Sequence, residues 1–108
     1  MMIGQKVKVV IDRPLGSYHP KHHDMLYMLN YGYIPNTMSP DGEELDAYVL
    51  GVHKPLDEFE GVVIAIIHRI NDNDDKLVVM EKGRNYSDEQ IRALTEFQEQ
   101  YFESEILR

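Results

Sequence analysis

The first periodic stretch of the chain is Val7 to Ile11, a β-branched run that enters Asp12-Arg13-Pro14 and Gly16. It reads as a strand stopped by turn chemistry, with Asp12 at its exit. Gly16 to Asp24 is polar, contains Pro20 and reads as a loop, whereas Met25 to Ile34, rich in Tyr, Leu and Met, is expected to hold extended structure bounded by Gly32 and Pro35. Pro40-Asp41-Gly42 is a turn signal, after which Asp46, Tyr48 and Leu50 alternate with Ala47 and Val49 as a strand requires. Gly61 to Ile67 is apolar without a break, so it is expected to be a central strand, with Lys76 to Met80 pairing against it. The Asn71 to Asp75 segment between them has the Asn and Asp content of a hairpin loop. Last comes Ser87-Asp88-Glu89-Gln90, a capping box from Ser87 to Gln90, followed by Ile91, Leu94, Phe97, Tyr101 and Phe102 at helical spacing.

Five or so short strands and one C-terminal helix predict a mostly β fold, a small OB-like β-barrel with the helix packed against it. At 108 residues the chain fits one domain, residues 1–108. Composition narrows the partners. Eleven basic against nineteen acidic residues give a net charge of −8, which opposes the phosphate neutralisation that nucleic-acid binding requires, so no nucleic-acid partner is expected. The absence of cysteine excludes disulfides and thiolate metal sites. No segment has the continuous apolar length of a membrane span, and Met1 to Lys8 lacks the apolar core of a signal peptide; the expectation is a cytoplasmic protein with no membrane partner.

The chemistry concentrates in Asp41-Gly42-Glu43-Glu44-Leu45-Asp46, where a turn feeding a strand carries four carboxylates. Carboxylates this close either face water, as acidic turns commonly do, or share hard cations such as Mg²⁺ or Mn²⁺, which take oxygen ligands and leave part of their shell to phosphate oxygens.

Together with Val10-Ile11-Asp12-Arg13-Pro14, Asn30-Tyr31-Gly32-Tyr33-Ile34-Pro35 and Asn71-Asp72-Asn73-Asp74-Asp75-Lys76-Leu77, that run falls in the order and approximate spacing of the soluble family I inorganic pyrophosphatases. The chain resembles a short member of that family from about Val7 to Val79. The resemblance implies an OB-like barrel and metal-dependent hydrolysis of pyrophosphate, or a similar phosphoanhydride, to phosphate. It also implies a Mg²⁺ cofactor, with Mn²⁺ as a substitute, and assembly as a homo-oligomer. It assigns Asp41, Glu43 and Asp46 as central metal ligands, with Glu43 also placed to accept the proton of the attacking water. Asp72 and Asp74 become ligands from the second acidic loop, with Asp75 as the neighbouring alternative. Tyr31 and Lys76 fall at phosphate-binding positions, Tyr101 matches a phosphate-binding Tyr, and Asp12 stands where the family has a catalytic-site Glu one methylene longer.

The chain also departs from the family. A hairpin carrying a Lys, a Glu and an Arg normally precedes Tyr31, and there are too few residues here to build it. Ser17 to Asp24 stands in its place and is expected to restore positive charge through Lys21, Arg13 or His19, His22 and His23. Those histidines beside Asp24 equally suit a transition metal such as Zn²⁺, although their spacing matches no specific zinc signature. Phe102 stands where the family carries a Lys. With cations lost, the alternative is a module of the same fold that binds phosphate or a nucleotide with little or no catalysis. His53 and His68 carry no functional weight in this reading.

Overall fold

The computed structural model describes residues 3–39, 42–72 and 74–108. Among the described residues the chain forms β1 (Lys6–Arg13), β2 (Asn30–Ile34), β3 (Leu45–Val49), β4 (Glu58–Arg69), β5 (Asp74–Met80), α1 (Asp88–Glu99) and β6 (Ser104–Leu107). The strands order as β1-β2-β3-β5-β4-β6, and a further β1–β4 pairing closes the first five into a ring. All pairings are antiparallel except β3 with β5. Closure removes the open edges that a small sheet would otherwise expose. The fold is therefore the expected OB-like barrel with a C-terminal helix.

Strand alternation divides the apolar residues between two cores. Val7, Val9, Ile11, Ile34, Leu45, Ala47, Val49, Val63, Leu77 and Val79 fill the barrel. Tyr27, Leu29, Tyr31, Tyr48, Leu50, Ala65, Ile67, Val78 and Met80 face outward and meet Ile91, Leu94 and Phe97 of α1. In β4 the side facing each core changes along the strand: a register shift between Val63 and Ala65 reverses its parity, so that Val63 points into the barrel and Ala65 and Ile67 toward the helix. That double duty explains why its sequence is apolar without alternation.

Gly32 lies inside β2, not at its boundary as expected. A Cβ there would sit 1.8 Å from the Val10 carbonyl oxygen, so only glycine lets β1 and β2 approach. Asp74 and Asp75, expected in the hairpin loop, belong to β5, because their backbone pairs with Arg69 and His68.

The helix begins as expected, with Ser87 Oγ accepting from the Gln90 N–H and the Gln90 side chain accepting from the Ser87 N–H. It stops at Glu99, short of the expected stripe. Tyr101 is 67% exposed, and the Phe102 N–H donates to the Glu99 carbonyl in the turn that leads into β6. That strand was not legible. It pairs with the second half of β4, along the edge that β1 covers only over the first half.

Candidate active site

Register assembles the outward-facing polar residues. Across β2, β3 and β5 the row Tyr33, Asp46, Lys76 lies next to the row Tyr31, Tyr48, Val78. Asp46 and Lys76 are thus cross-strand partners on one face, and Asp74 joins them two residues earlier on β5. The Lys76 ammonium, 4% exposed, donates to Asp46 Oδ2 at 2.5 Å and contacts Asp74 Oδ2 at 2.8 Å. Burial alone would depress this ammonium, but Tyr31, Asp46 and Asp74 outweigh it and the pKa is raised. Burial also raises the Tyr31 phenol, with Lys76 pulling the other way, so Tyr31 is a neutral donor at physiological pH.

The end of β1 reaches the same face through a second irregularity. The register shifts between Ile11 and Arg13, which sets Arg13 opposite Tyr31, the partner that an unbroken ladder would give to Asp12. Asp12 remains solvent-facing. Its carboxyl is raised by partial desolvation and further by Asp46, against the lowering effect of Arg13.

Beyond Tyr31 opens a cavity of about 660 Å³ bounded by Arg13, His19, Tyr27, Tyr31, Arg69 and Tyr101, among others. A chain of hydrogen bonds, part-buried at Arg13 and buried beyond it, runs inward from the cavity wall. Arg13 Nη1 donates to Tyr27 Oη (2.9 Å), Tyr27 to Gln98 Oε1 (2.7 Å), Gln98 Nε2 to Tyr48 Oη (2.7 Å), and Tyr48 to Glu99 Oε2 (2.6 Å). Glu99 in turn accepts two bonds from Arg69, at 3.0 and 2.7 Å. The Arg69 guanidinium stacks on the Phe102 ring at 3.7 Å and lies 3.8 Å from Asp72 and 3.9 Å from Asp74. Burial opposes its charge, but Glu99 more than compensates and its pKa is raised. The last turn of α1 carries no basic residue of its own, and Arg69 is the cation that meets its final residue, Glu99.

The anticipated residues therefore separate into groups. Tyr31, Asp46, Asp74 and Lys76 form one cluster, Asp12 is electrostatically coupled to it, and Arg13 and Tyr101 border the adjoining cavity. Asp72 is exposed and converges with Asp74 on Arg69. Glu43 is exposed in the turn before β3, where its carbonyl accepts from the Ser39 N–H at 2.7 Å. Lys21 is exposed and is absent from the cavity wall. Asp41 lies outside the described residues. Asp75 faces away and pairs with His68 Nδ1 at 2.7 Å. Among the described residues no group of three or more His, Asp or Glu side chains forms a ready metal shell.

Sequence reasoning missed Tyr27, Arg69, Gln98 and Glu99. Gln98 and Glu99 lie seven and eight residues after Ile91, on the face the helical period buries, so that signal was present. Arg69 has no such signal.

The fold and site together define a small OB-like barrel with a C-terminal helix, bearing a carboxylate, phenol and ammonium cluster beside an arginine-lined cavity. A family model described as Inorganic pyrophosphatase matches residues 2–106, and the chain belongs to this family. It is 29% identical over 100 residues to an inorganic pyrophosphatase of Saccharolobus solfataricus, a match covering 77% of this chain and 58% of that protein. It is 39% identical over 61 residues to inorganic pyrophosphatase 2 of Pseudomonas syringae pv. tomato, covering 54% and 32%. The chain thus spans less than two thirds of the length of these relatives. The crystal structure of inorganic pyrophosphatase from Ehrlichia chaffeensis has the same fold, with a TM-score of 0.72 at 15% identity over 97% of this chain and 86% of that one.

Proposed function

We propose that this chain hydrolyses inorganic pyrophosphate to two phosphates, with Mg²⁺ as its cofactor and Mn²⁺ as a substitute. The observation that carries the reading is the clamp of Lys76 between Asp46 and Asp74, with Tyr31 beside it and the Arg13 and Arg69 cavity adjoining. Asp46, Asp72, Asp74 and Glu43 offer only carboxylate oxygens, a donor set that suits a hard divalent cation, and Asp41 is the further ligand that the family resemblance assigns. Bound there, Mg²⁺ would neutralise substrate charge and make the attacking water more acidic. The chain's own groups supply the rest. Lys76 and Arg13 balance phosphoryl charge, Tyr31 donates a hydrogen bond, and Glu43, exposed in the turn before β3, accepts the water proton with Asp12 nearby. Tyr101, at the cavity rim, contacts the outgoing phosphate. Cytoplasmic location and homo-oligomeric assembly belong to the same reading. Met28, Met38 and Ile70 are exposed apolar residues that association would cover. No helix among the described residues is long and apolar enough to cross a membrane.

The test is phosphate release from pyrophosphate with Mg²⁺, Mn²⁺ and excess chelator in parallel. Release with either metal and loss in chelator is expected, and undiminished release in chelator would overturn the metal requirement. A second reading, the phosphate-binding module, has one observation in its favour: Lys76 already neutralises the carboxylates that a metal would use. Phosphate binding with no release under any metal would decide for it.

A further inference from the structure

The segment that stands where the family has its active-site hairpin lines the cavity with His19, His22 and Asp24, and not with its lysine. The Lys21 side chain is exposed and away from the cavity, while its backbone N–H donates to His19 Nδ1 at 3.0 Å, joined by the His22 N–H at 3.2 Å. A ring nitrogen that accepts two N–H groups presents its lone pair, so the single proton of the neutral imidazole resides on Nε2. No described residue engages Nε2. The ring lies nearly parallel to that of Tyr27, with centroids 6.2 Å apart and planes 13° apart, and Tyr27 is itself fixed by Arg13 and Gln98. The loop is anchored at both ends, His19 N–H to the Met25 carbonyl at 2.9 Å and Met25 N–H to the His22 carbonyl at 2.8 Å. His19 borders the cavity together with Arg13 and Tyr31.

We infer that His19 is a phosphate-binding residue of this cavity, a neutral donor through Nε2–H, and that Lys21 serves the turn and not the ligand. The inference rests on the pyrophosphate reading for the identity of the anion. The charged, unprotonated oxygens of phosphate accept hydrogen bonds, so an N–H donor on the cavity wall that also carries Arg13 can meet one directly. Desolvation and the neighbouring Arg13, His22, Lys21 and His23 lower the His19 pKa, in keeping with a donor that works uncharged. The same geometry argues against the transition-metal alternative: a metal on Nε2 would drive the ring proton onto Nδ1, where two N–H groups already donate, and the His23 ring is already bonded to the Pro20 carbonyl at 2.9 Å.

The experiment is long-range ¹H–¹⁵N NMR of the histidine rings, with inorganic phosphate titrated in the presence of Mg²⁺. His19 is expected in the Nε2–H tautomer, with its Nε2 and the Arg13 guanidinium both shifting as phosphate binds while exposed His53 does not move. His19→Asn keeps an acceptor for the two backbone N–H groups but removes Nε2, and should weaken phosphate binding by about fivefold or more with the melting temperature retained. Lys21→Ala should change it by less than about twofold, since an exposed charge away from the ligand contributes little. A proton on Nδ1, a shift at Arg13 without one at His19, or a larger effect from Lys21→Ala than from His19→Asn overturns the inference and leaves the pyrophosphate reading standing. Absence of any phosphate response at Arg13 and His19 overturns the inference, and phosphate release from pyrophosphate reports independently on the reading beneath it.

Discussion

The inside of the barrel and its outer face under the helix are both buried, yet they are built from different chemistry. The interior is aliphatic, mostly Val, Ile and Leu. The outer face places Tyr27, Tyr31 and Tyr48 among its apolar residues and threads a polar chain from Arg13 to Arg69 through them. An aliphatic core tolerates imperfect geometry because burial is non-directional, whereas each buried donor or charge must be met by a specific partner. Among the described residues, no buried side-chain nitrogen or oxygen lacks one. The interior holds the barrel together, and the outer face holds a site in shape.

Four expectations break or sharpen that contrast. Glu99→Gln removes the charge that holds Arg69, both groups being less than a tenth exposed, and should destabilise by on the order of 3–5 kcal/mol in urea denaturation while lowering turnover of the folded fraction. A loss below about 1 kcal/mol would show that Asp72 and Asp74 suffice for Arg69. Leu77→Ala in the interior should cost roughly 2–5 kcal/mol by the same measurement, with turnover per folded molecule retained. Comparable loss of turnover in both variants would erase the division of labour.

The third expectation concerns alkaline pH. Tyr31, Tyr48 and Lys76 all have folded pKa values above their ordinary ones, burial being the main cause for the tyrosines and the Tyr31, Asp46 and Asp74 contacts for the lysine. The folded state therefore holds these protons more tightly. Their contribution to stability is complete below the ordinary values of 10.0 and 10.5 and declines as pH rises toward the folded ones. The urea midpoint should fall above that range, and less steeply in Tyr48→Phe. The smallest effect is at Asp12, whose raised pKa means that folding disfavours its charge. Asp12→Asn should raise the melting temperature slightly at pH 7, with the gain disappearing below about pH 3.8, the ordinary value, where both side chains are neutral. A lower melting temperature at pH 7 would mean that the carboxylate is held by favourable contacts instead.

Much of the barrel was legible from local pattern. Alternation in Asp46 to Leu50 and the break-free run at Gly61 to Ile67 identified β3 and β4, and the capping box placed the start of α1. Three features were not. The end of the helix depends on the turn at Phe102 and on β6 adding to β4, and both follow from which edge of β4 remains open. The parity reversal in β4 and the bulge before Arg13 depend on a partner strand, and no single segment encodes its own register. At the site, Lys76 and Asp46 were recognisable because a motif names them, but Arg69 and Glu99 were not, because their significance lies in each other across thirty positions of sequence.

By itself, the sequence determined the types of β1 to β5 and of α1, the family, the exclusion of cysteine chemistry and the set of carboxylates available to a metal. Those properties are local: periodicity, turn residues and spacing are written in neighbouring positions. Only the tertiary structure decided which of the outward-facing groups meet, that Arg69 and not Lys21 joins Arg13 at the cavity, and that two backbone N–H groups meet His19 at Nδ1. Those depend on distances between segments far apart in the chain, and on burial that makes each unpaired polar atom costly enough to select one arrangement.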